Sequence, residues 1–151
     1  MPQAPLSIKG RALRLLSMRE HSRVELERKL ATHEQVPGEL ARALDELQAK
    51  GFINEERVVE SVLYRRASRL GAGRIRQELQ AKGLEGDLVA QAMEQLKATE
   101  LERAREVWRR KFDQPPQDAA QRAKQSRFLA ARGFGGEVIR KVLAGGAGEE
   151  D

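Results

Sequence analysis

Apolar residues recur every three to four positions along most of this chain, with charged and amide side chains between them. This spacing places the apolar side chains on one face of an α-helix. No window alternates apolar and polar residues for long enough to predict a β-strand. Alanine, leucine, glutamate, arginine, lysine and glutamine dominate, and all six are strong helix formers. The pattern therefore predicts an all-α fold.

The ends of several predicted helices carry a recurring signal. The sequence LQAKG occurs at Leu47–Gly51 and again at Leu79–Gly83, and LAARG occurs at Leu129–Gly133, each followed by an apolar residue. Glycine takes the left-handed conformation that ends a helix, and the basic residue before it complements the C-terminal helix dipole. We interpret these stretches as helix stops, which need not be a binding motif.

Other residues mark where helices begin. Asn54 precedes a helical stretch as an N-cap, and Ser22 followed by Glu25 has the spacing of a capping box. Pro37 suits the first position of a helix. The proline-containing stretch at residues 113–118 predicts a loop between two helices.

The sequence also repeats itself. Gly73–Met93 aligns with Ala123–Leu143 at an offset of 50 residues without a gap, and Ser22–Leu47 joins the alignment with one inserted residue. Helical units that repeat in tandem stack on their neighbours and build extended, curved bodies. We therefore predict three tandem three-helix repeats that resemble helix-turn-helix modules. The expected division is a flexible N-terminus at 1–8, repeats at 9–53, 54–97 and 98–144, and a disordered acidic tail at 145–151.

The charge of the chain indicates what kind of partner it binds. The net charge is +5, and residues 98–148 contain 11 basic and 6 acidic side chains. Such an excess favours an anionic partner, either a nucleic acid or a nucleic acid coated with protein.

The sequence gives no support for catalysis, a cofactor or a metal. There is no cysteine, which excludes thiolate metal sites and a cysteine nucleophile. His21 and His33 have no second ligand at a helical spacing and are expected on the surface. The glycines at Gly71–Gly73 are too few for a nucleotide fingerprint. We therefore expect a protein that is not an enzyme and holds no cofactor.

No apolar run approaches the roughly 20 residues that a membrane helix requires, and the N-terminus lacks the apolar core of a signal peptide. A cytoplasmic protein without a membrane partner is expected.

Basic residues without neighbouring acids form two clusters, at Tyr64–Arg76 and Arg122–Gly133. One interpretation is a solvated helix face, and the other is a surface that contacts an anionic partner. The candidate contact residues are Tyr64, Arg65, Arg69, Arg74, Arg76, Lys82, Lys124, Arg127 and Arg132.

Arg66 falls between Val62 and Leu63 on the apolar face of its predicted helix. A buried arginine needs a partner. We therefore expect a structural ion pair between Arg66 and either Glu78 or another acid of the second repeat, with direct contact to a binding partner as the alternative.

Two long stretches of this sequence, Gly51–Leu84 (GFINEERVVESVLYRRASRLGAGRIRQELQAKGL) and Phe128–Leu143 (FLAARGFGGEVIRKVL), resemble the RecX family of recombination regulators. The resemblance covers about Lys9–Leu143 and includes all three units. Two places depart from the family's pattern. Asn54-Glu55 stands where an aspartate and a second acid are usual, and Gly135-Gly136 stands where a serine is usual.

The resemblance implies a non-catalytic regulator that binds RecA and lodges in the groove of the RecA–single-stranded-DNA filament. Such proteins block filament extension and so reduce the ATPase, strand-exchange and co-protease activities of RecA. Weak direct DNA binding is also implied. The alternatives are a stand-alone DNA-binding helical protein that acts without RecA and a purely structural adaptor. A monomer is expected because no long apolar seam is left over.

Overall fold

A computed structural model of the chain describes residues 5–145, and every regular element in that range is helical. In chain order these are α1 (Ile8–Met18), α2 (Arg23–Leu30), α3 (Glu39–Ala49), α4 (Glu55–Arg66), α5 (Ala72–Ala81), α6 (Asp87–Lys111), α7 (Ala119–Ala131) and α8 (Gly136–Leu143), with a 3₁₀ helix at Ala31–His33 after α2. The predicted all-α fold is confirmed. Residues 146–151 of the predicted acidic tail and residues 1–4 lie outside the described range.

The helices gather around three separate hydrophobic cores. The first core lies among α1, α2 and α3, the second among α4, α5 and the beginning of α6, and the third among the rest of α6, α7 and α8. The fully buried residues at their centres are Leu26 and Leu44 in the first, Val62 and Ile75 in the second, and Ala104 and Leu129 in the third. This arrangement confirms the prediction of three tandem three-helix repeats.

The repeats differ from the sequence expectation at two boundaries. Ile8, placed in a flexible N-terminus by the sequence, is the first residue of α1 and is buried. The expected boundary between residues 97 and 98 falls inside α6, which runs for 25 residues without a break. Neither glycine nor proline interrupts the chain between Leu96 and Ala104, so nothing ends the helix there. One helix therefore serves as the last helix of the second repeat and the first helix of the third.

Most of the predicted caps are present. Ser22 forms a capping box with Glu25 at the start of α2, and the Asn54 side chain accepts a hydrogen bond from the backbone N–H of Arg57 at the start of α4. The position predicted for Pro37 is wrong. It lies in a turn, followed by Gly38 with φ of 87°, and α3 begins only at Glu39.

The helix stop after α5 docks on the first turn of α2. The Ser22 hydroxyl donates to the carbonyl of Lys82 at 2.7 Å, and Arg28 Nη1 donates to the carbonyl of Ala81 at 2.6 Å. Gly83 lies so close to Val24 that a Cβ at Gly83 would stand 2.4 Å from the valine side chain. The stop therefore joins the second repeat to the first.

The helix stop after α7 docks in the same way on the first turn of α5. The backbone N–H groups of Gly71 and Gly73 donate to the carbonyls of Arg132 and Gly133, at 2.7 and 3.1 Å. A Cβ at Gly71 would lie 2.5 Å from the carbonyl carbon of Gly133, so the two backbones are in direct contact. The stops after α5 and α7 thus end a helix and also form joints, the first joint between the first and second repeats and the second joint between the second and third. The sequence interpretation did not include this role.

The start of α7 differs from the start of α5. Under the 50-residue offset, Ala72 at the start of α5 corresponds to position 122, but α7 begins three residues earlier, at Ala119. Asp118 caps this additional turn by accepting from the backbone N–H of Gln121 at 2.9 Å. On α7, the position at which the helix stop of a further repeat would dock is therefore occupied by the additional first turn of α7 itself.

A buried ion pair within α6 holds the end of α4 and the start of α5 against that helix. Arg103 and Glu100 are paired at 2.8 Å, and each is nearly enclosed. Arg103 also donates to the carbonyls of Ala67 and Leu70 after α4, while Glu100 accepts from the backbone N–H of Ala72 in α5. The pair therefore satisfies backbone groups at a helix end and a helix start, which would otherwise be left without partners.

Glu25 is the centre of a charge network at the first joint. Its carboxylate lies 2.8 Å from Arg19 Nη2 and 3.2 Å from Lys82 Nζ, and it accepts from the backbone N–H of Ser22. Burial alone would raise the pKa of Glu25, but the hydrogen bonds from Arg19, Ser22 and Lys82 outweigh it and lower the pKa to about 2.

His21 is buried rather than solvated, so its predicted surface position is wrong. Its Nδ1 atom lies 3.0 Å from the carbonyl of Arg19, and its Nε2 atom lies 3.3 Å from Lys29 Nζ. A carbonyl can only accept and an ammonium can only donate, which requires a neutral ring that donates from Nδ1. Burial lowers the pKa of His21 and favours the same neutral form.

We expect Gly133→Ala to destabilise the protein much more than Gly51→Ala. Both glycines have positive φ, 95° and 84°, so each alanine costs about 1–2 kcal/mol in backbone strain. A Cβ at Gly133 would also lie 2.5 Å from the backbone nitrogen of Arg74, whereas nothing lies within 4 Å at Gly51. The clash adds about 1–3 kcal/mol. Urea unfolding of the two variants measures the difference, and equal losses would contradict the backbone contact.

The contribution of Glu25 should depend on pH. Because its folded-state pKa is lowered to about 2 from 4.5, its stabilisation is complete above the unfolded-state pKa and is lost as the pH falls from about 4.5 towards 2. Glu25→Gln should therefore lower the free energy of unfolding by about 1–2 kcal/mol at neutral pH. The gap between variant and parent should close in acid, and a gap independent of pH would refute the assignment.

Candidate interaction surface

The structure brings several of the predicted basic residues together in one cleft. Arg69, Arg74 and Arg132 line it with Arg66 and Glu78, and its volume is about 680 Å³. We call this feature the basic cleft. It lies where the end of α4, the length of α5 and the end of α7 meet, so residues of the second and third repeats share it.

The joint between α7 and α5 creates the cleft and orients two of its arginines. Arg74 stands in the first turn of α5, and its Nη1 donates to the carbonyl of Ala131 at 2.7 Å across the joint. The guanidinium of Arg132 lies over the Phe128 ring, 3.8 Å from the ring centroid. Both guanidinium planes are therefore held in place while part of each edge remains available to a ligand.

Glu78 is an acidic side chain in the lining of the cleft, and it pairs with Arg66, the arginine for which the sequence predicts this partner. Arg66 Nε donates to Glu78 Oε1 at 3.1 Å, and Arg65 Nη2 lies 3.9 Å from the second oxygen. The Arg66 side chain is 36% exposed, so it borders the cleft rather than lying in the core as its position on the apolar face suggested. A long arginine reaches this border because its alkyl stem can lie along apolar residues while its charged end stays outside.

Lys82 is placed differently from the other candidates. Its side chain is only 12% exposed, and its ammonium group lies between Glu25, at 3.2 Å, and Glu78, at 3.9 Å. The lysine is thus occupied within the chain, at the first joint, and does not present its charge at the outer surface.

The other basic candidates extend the surface along α7. Lys124, Arg127 and Ala131 follow one another at spacings of three and four residues, which places them on one face of the helix. Lys124 and Arg127 are exposed, and Ala131 lines the basic cleft. We call the cleft together with Lys124 and Arg127 the basic surface.

Tyr64 and Arg76 are also exposed but are not among the residues that line the cleft. Tyr64, at 88% exposure, is the most exposed large apolar side chain of the described residues.

Most aromatic side chains serve the third repeat's own packing. Phe112 and Phe128 meet edge to face with their ring centroids 5.2 Å apart, and Trp108 Nε1 donates to the buried Gln125 at 2.8 Å. These rings are therefore not arranged as a stacking platform for single-stranded bases. Phe52, the apolar residue that follows the helix stop at Gly51, is different, because it is 47% exposed.

Within residues 5–145, no three His, Asp or Glu side chains come together closely enough to hold a metal ion. The helices in that range also include none that is long and apolar enough to cross a membrane.

The Glu100–Arg103 pair was not predicted from the sequence, although the sequence contains a signal for it. Leu96, Glu100, Ala104 and Val107 share one face of α6, and all four are buried. An acid on an otherwise apolar face indicates a paired, structural carboxylate.

Comparisons with known proteins agree on one family. Family models described as the first, second and third three-helix domains of RecX match residues 9–47, 54–93 and 98–143. A relative from Leptothrix cholodnii named Regulatory protein RecX is 57% identical over 138 residues, which is 91% of this chain and 88% of the relative. Another of the same name, from Ralstonia nicotianae, is 47% identical over 145 residues, 96% and 91% of the two chains.

A solved structure has the same fold. The crystal structure of RecX from Lactobacillus salivarius superposes with a TM-score of 0.76 over 91% of this chain and 92% of that one, at 19% sequence identity. At this identity the likeness establishes the fold alone.

Removing Arg66 should cost more stability than removing Arg65. Arg66 donates directly to Glu78, whereas Arg65 lies at the edge of pairing distance. Since a partly screened pair contributes about 1 kcal/mol, Arg66→Ala should lower the melting temperature by about 2–4 °C. Arg65→Ala should lower it by less. If both variants have the same melting temperature as the parent protein, Arg66 is not a structural residue.

Proposed function

The chain belongs to the RecX family of regulatory proteins, and from that premise we propose that it binds RecA and the RecA–single-stranded-DNA filament without catalysing a reaction. It lies in the groove of the filament and blocks further extension. By doing so it reduces the ATPase, strand-exchange and co-protease activities of RecA. It acts as a cytoplasmic monomer.

The observation that carries this proposal is the basic surface. Its arginines and lysine come from two repeats and run from the basic cleft along α7. A positive surface on an array of tandem repeats suits a long anionic groove, because each repeat adds contacts to the same partner. Acidic side chains of RecA and phosphates of the enclosed DNA are the groups that this surface would contact.

A protein that binds DNA on its own is less well supported. In helix-turn-helix proteins the start of the recognition helix meets the DNA. Here the first turns of α3, α6 and α8 contain Glu39, Asp87 and Glu137, which repel phosphates. The starts of α2 and α5 are covered by the helix stops of the following repeats. The third helices and two of the second helices are therefore poorly suited to meet DNA.

The decisive experiment is a titration of this protein into RecA on single-stranded DNA, with ATP hydrolysis as the readout. Binding to bare single-stranded DNA is measured at the same salt concentration. We expect inhibition at far less than one copy per RecA, together with weak binding to bare DNA. No inhibition alongside tight DNA binding would replace the proposal with a stand-alone DNA-binding protein.

Charge reversal tests the surface itself. Arg74→Glu and Arg127→Glu should each raise the concentration needed for half-inhibition by about tenfold, because each replaces attraction by repulsion. Arg42→Glu, on the exposed side of α3 in the first repeat, changes the net charge equally and should have little effect. Circular dichroism checks that the variants are folded. An equal effect of all three would mean that only the net charge matters.

A further inference from the structure

The basic cleft has features of a small-molecule site as well as of a docking surface. Its volume of about 680 Å³ lies within the range of roughly 300–1,000 Å³ that is usual for ligand sites. Four arginines and one glutamate line it, so positive charge is in excess. We propose that this cleft binds the phosphate chain of a small molecule, such as a nucleoside di- or triphosphate.

The arginines are arranged to receive many acceptor atoms in a small space. Arg66 and Arg69 come from the end of α4 and the turn after it, Arg74 from the first turn of α5, and Arg132 from the end of α7. A guanidinium pairs with phosphate oxygens through two parallel N–H donors. A peptide carboxylate offers only two oxygens, whereas a phosphate chain offers enough to meet guanidinium groups from several sides.

Three of the guanidinium groups are already held before any ligand arrives. Arg66 is held by Glu78, Arg74 by the carbonyl of Ala131, and Arg132 by the Phe128 ring. Each contact leaves further N–H groups unused, because a guanidinium has five. Fixed donors lose little conformational freedom when a ligand binds, and this raises affinity.

The cleft is less suited to a strand of nucleic acid. Sites for single strands combine a basic groove with aromatic rings on which the bases stack. None of the described residues that line the cleft is aromatic, and Glu78 occupies one side of it. The nearby Phe128 ring is covered by Arg132. A compact phosphate chain therefore fits the lining better than a polynucleotide does.

This site does not depend on the proposed action on RecA, since phosphate binding is measured with the protein alone. A bound phosphate chain would neutralise the cleft, so the same arginines would not attract a filament at the same time. Cellular nucleotides would then compete with the filament for this part of the basic surface.

The test is calorimetric titration of the full chain with inorganic tripolyphosphate in magnesium-free buffer, at near-physiological ionic strength. We expect saturable binding with one site per chain. Arg69→Ala should weaken it by about tenfold or more, as expected for losing a hydrogen bond between charged groups. The control is Arg76→Ala, which removes the same charge from an exposed position on α5 outside the lining and should change the affinity by less than about twofold.

Two further measurements make the result decisive. Arg132→Lys keeps the positive charge but loses the planar guanidinium group with its paired N–H donors, so it should also weaken tripolyphosphate binding. A single-stranded oligothymidylate is titrated in parallel. The proposal is overturned if tripolyphosphate does not bind, if Arg76→Ala weakens binding as much as Arg69→Ala does, or if only the oligothymidylate depends on Arg69.

Discussion

The contact between the backbones at Gly71–Gly73 and Gly133 sets the geometry on which the functional surface depends. A side chain at Gly71 or Gly133 would collide with the opposite backbone, so the second and third repeats meet at a fixed distance. Arg74 and Arg132 come from opposite sides of this contact, and the basic cleft lies between them. Residues without side chains thus determine where the charged side chains stand. The Glu100–Arg103 pair reinforces this geometry, because it holds the start of α5 against α6.

The two joints of the array use different forces. The second joint combines hydrogen bonds between backbones with a helix, α6, that passes from one repeat to the next. The first joint relies on side chains, chiefly the Ser22 hydroxyl, Arg28 and the ion pair between Glu25 and Lys82. Electrostatic contacts respond to salt and pH, whereas close-packed backbones respond much less. Acid that protonates Glu25 therefore weakens the first joint, whereas the backbone hydrogen bonds of the second joint contain no titratable group.

Much of the fold was predictable because its signals are local. Ser22 and Asn54 mark helix starts through hydrogen bonds that span three residues, and the glycines of the helix stops mark ends in the same way. Features that depend on residues far apart in the chain were not predictable. The internal role of Lys82 and the joint at Gly133 both arise from contacts between repeats. At the candidate site, sequence clusters indicated the basic residues, but only the folded chain separates Arg69, Arg74 and Arg132, which share the cleft, from Arg76, which does not line it.

The additional turn at the start of α7 has a consequence for self-assembly. The second helices of the first two repeats, α2 and α5, each bind the helix stop of the following repeat at their first turn. If both end repeats also had these two surfaces, further copies could add head to tail without limit. In α7 that place is filled by the chain's own helix and closed by Asp118. At the other end, α2 runs into a 3₁₀ turn instead of a glycine stop. Among the described residues, α7 therefore lacks the open first turn and α2 lacks the glycine stop that the internal joints use, so this type of joint is not available for adding another copy at either end.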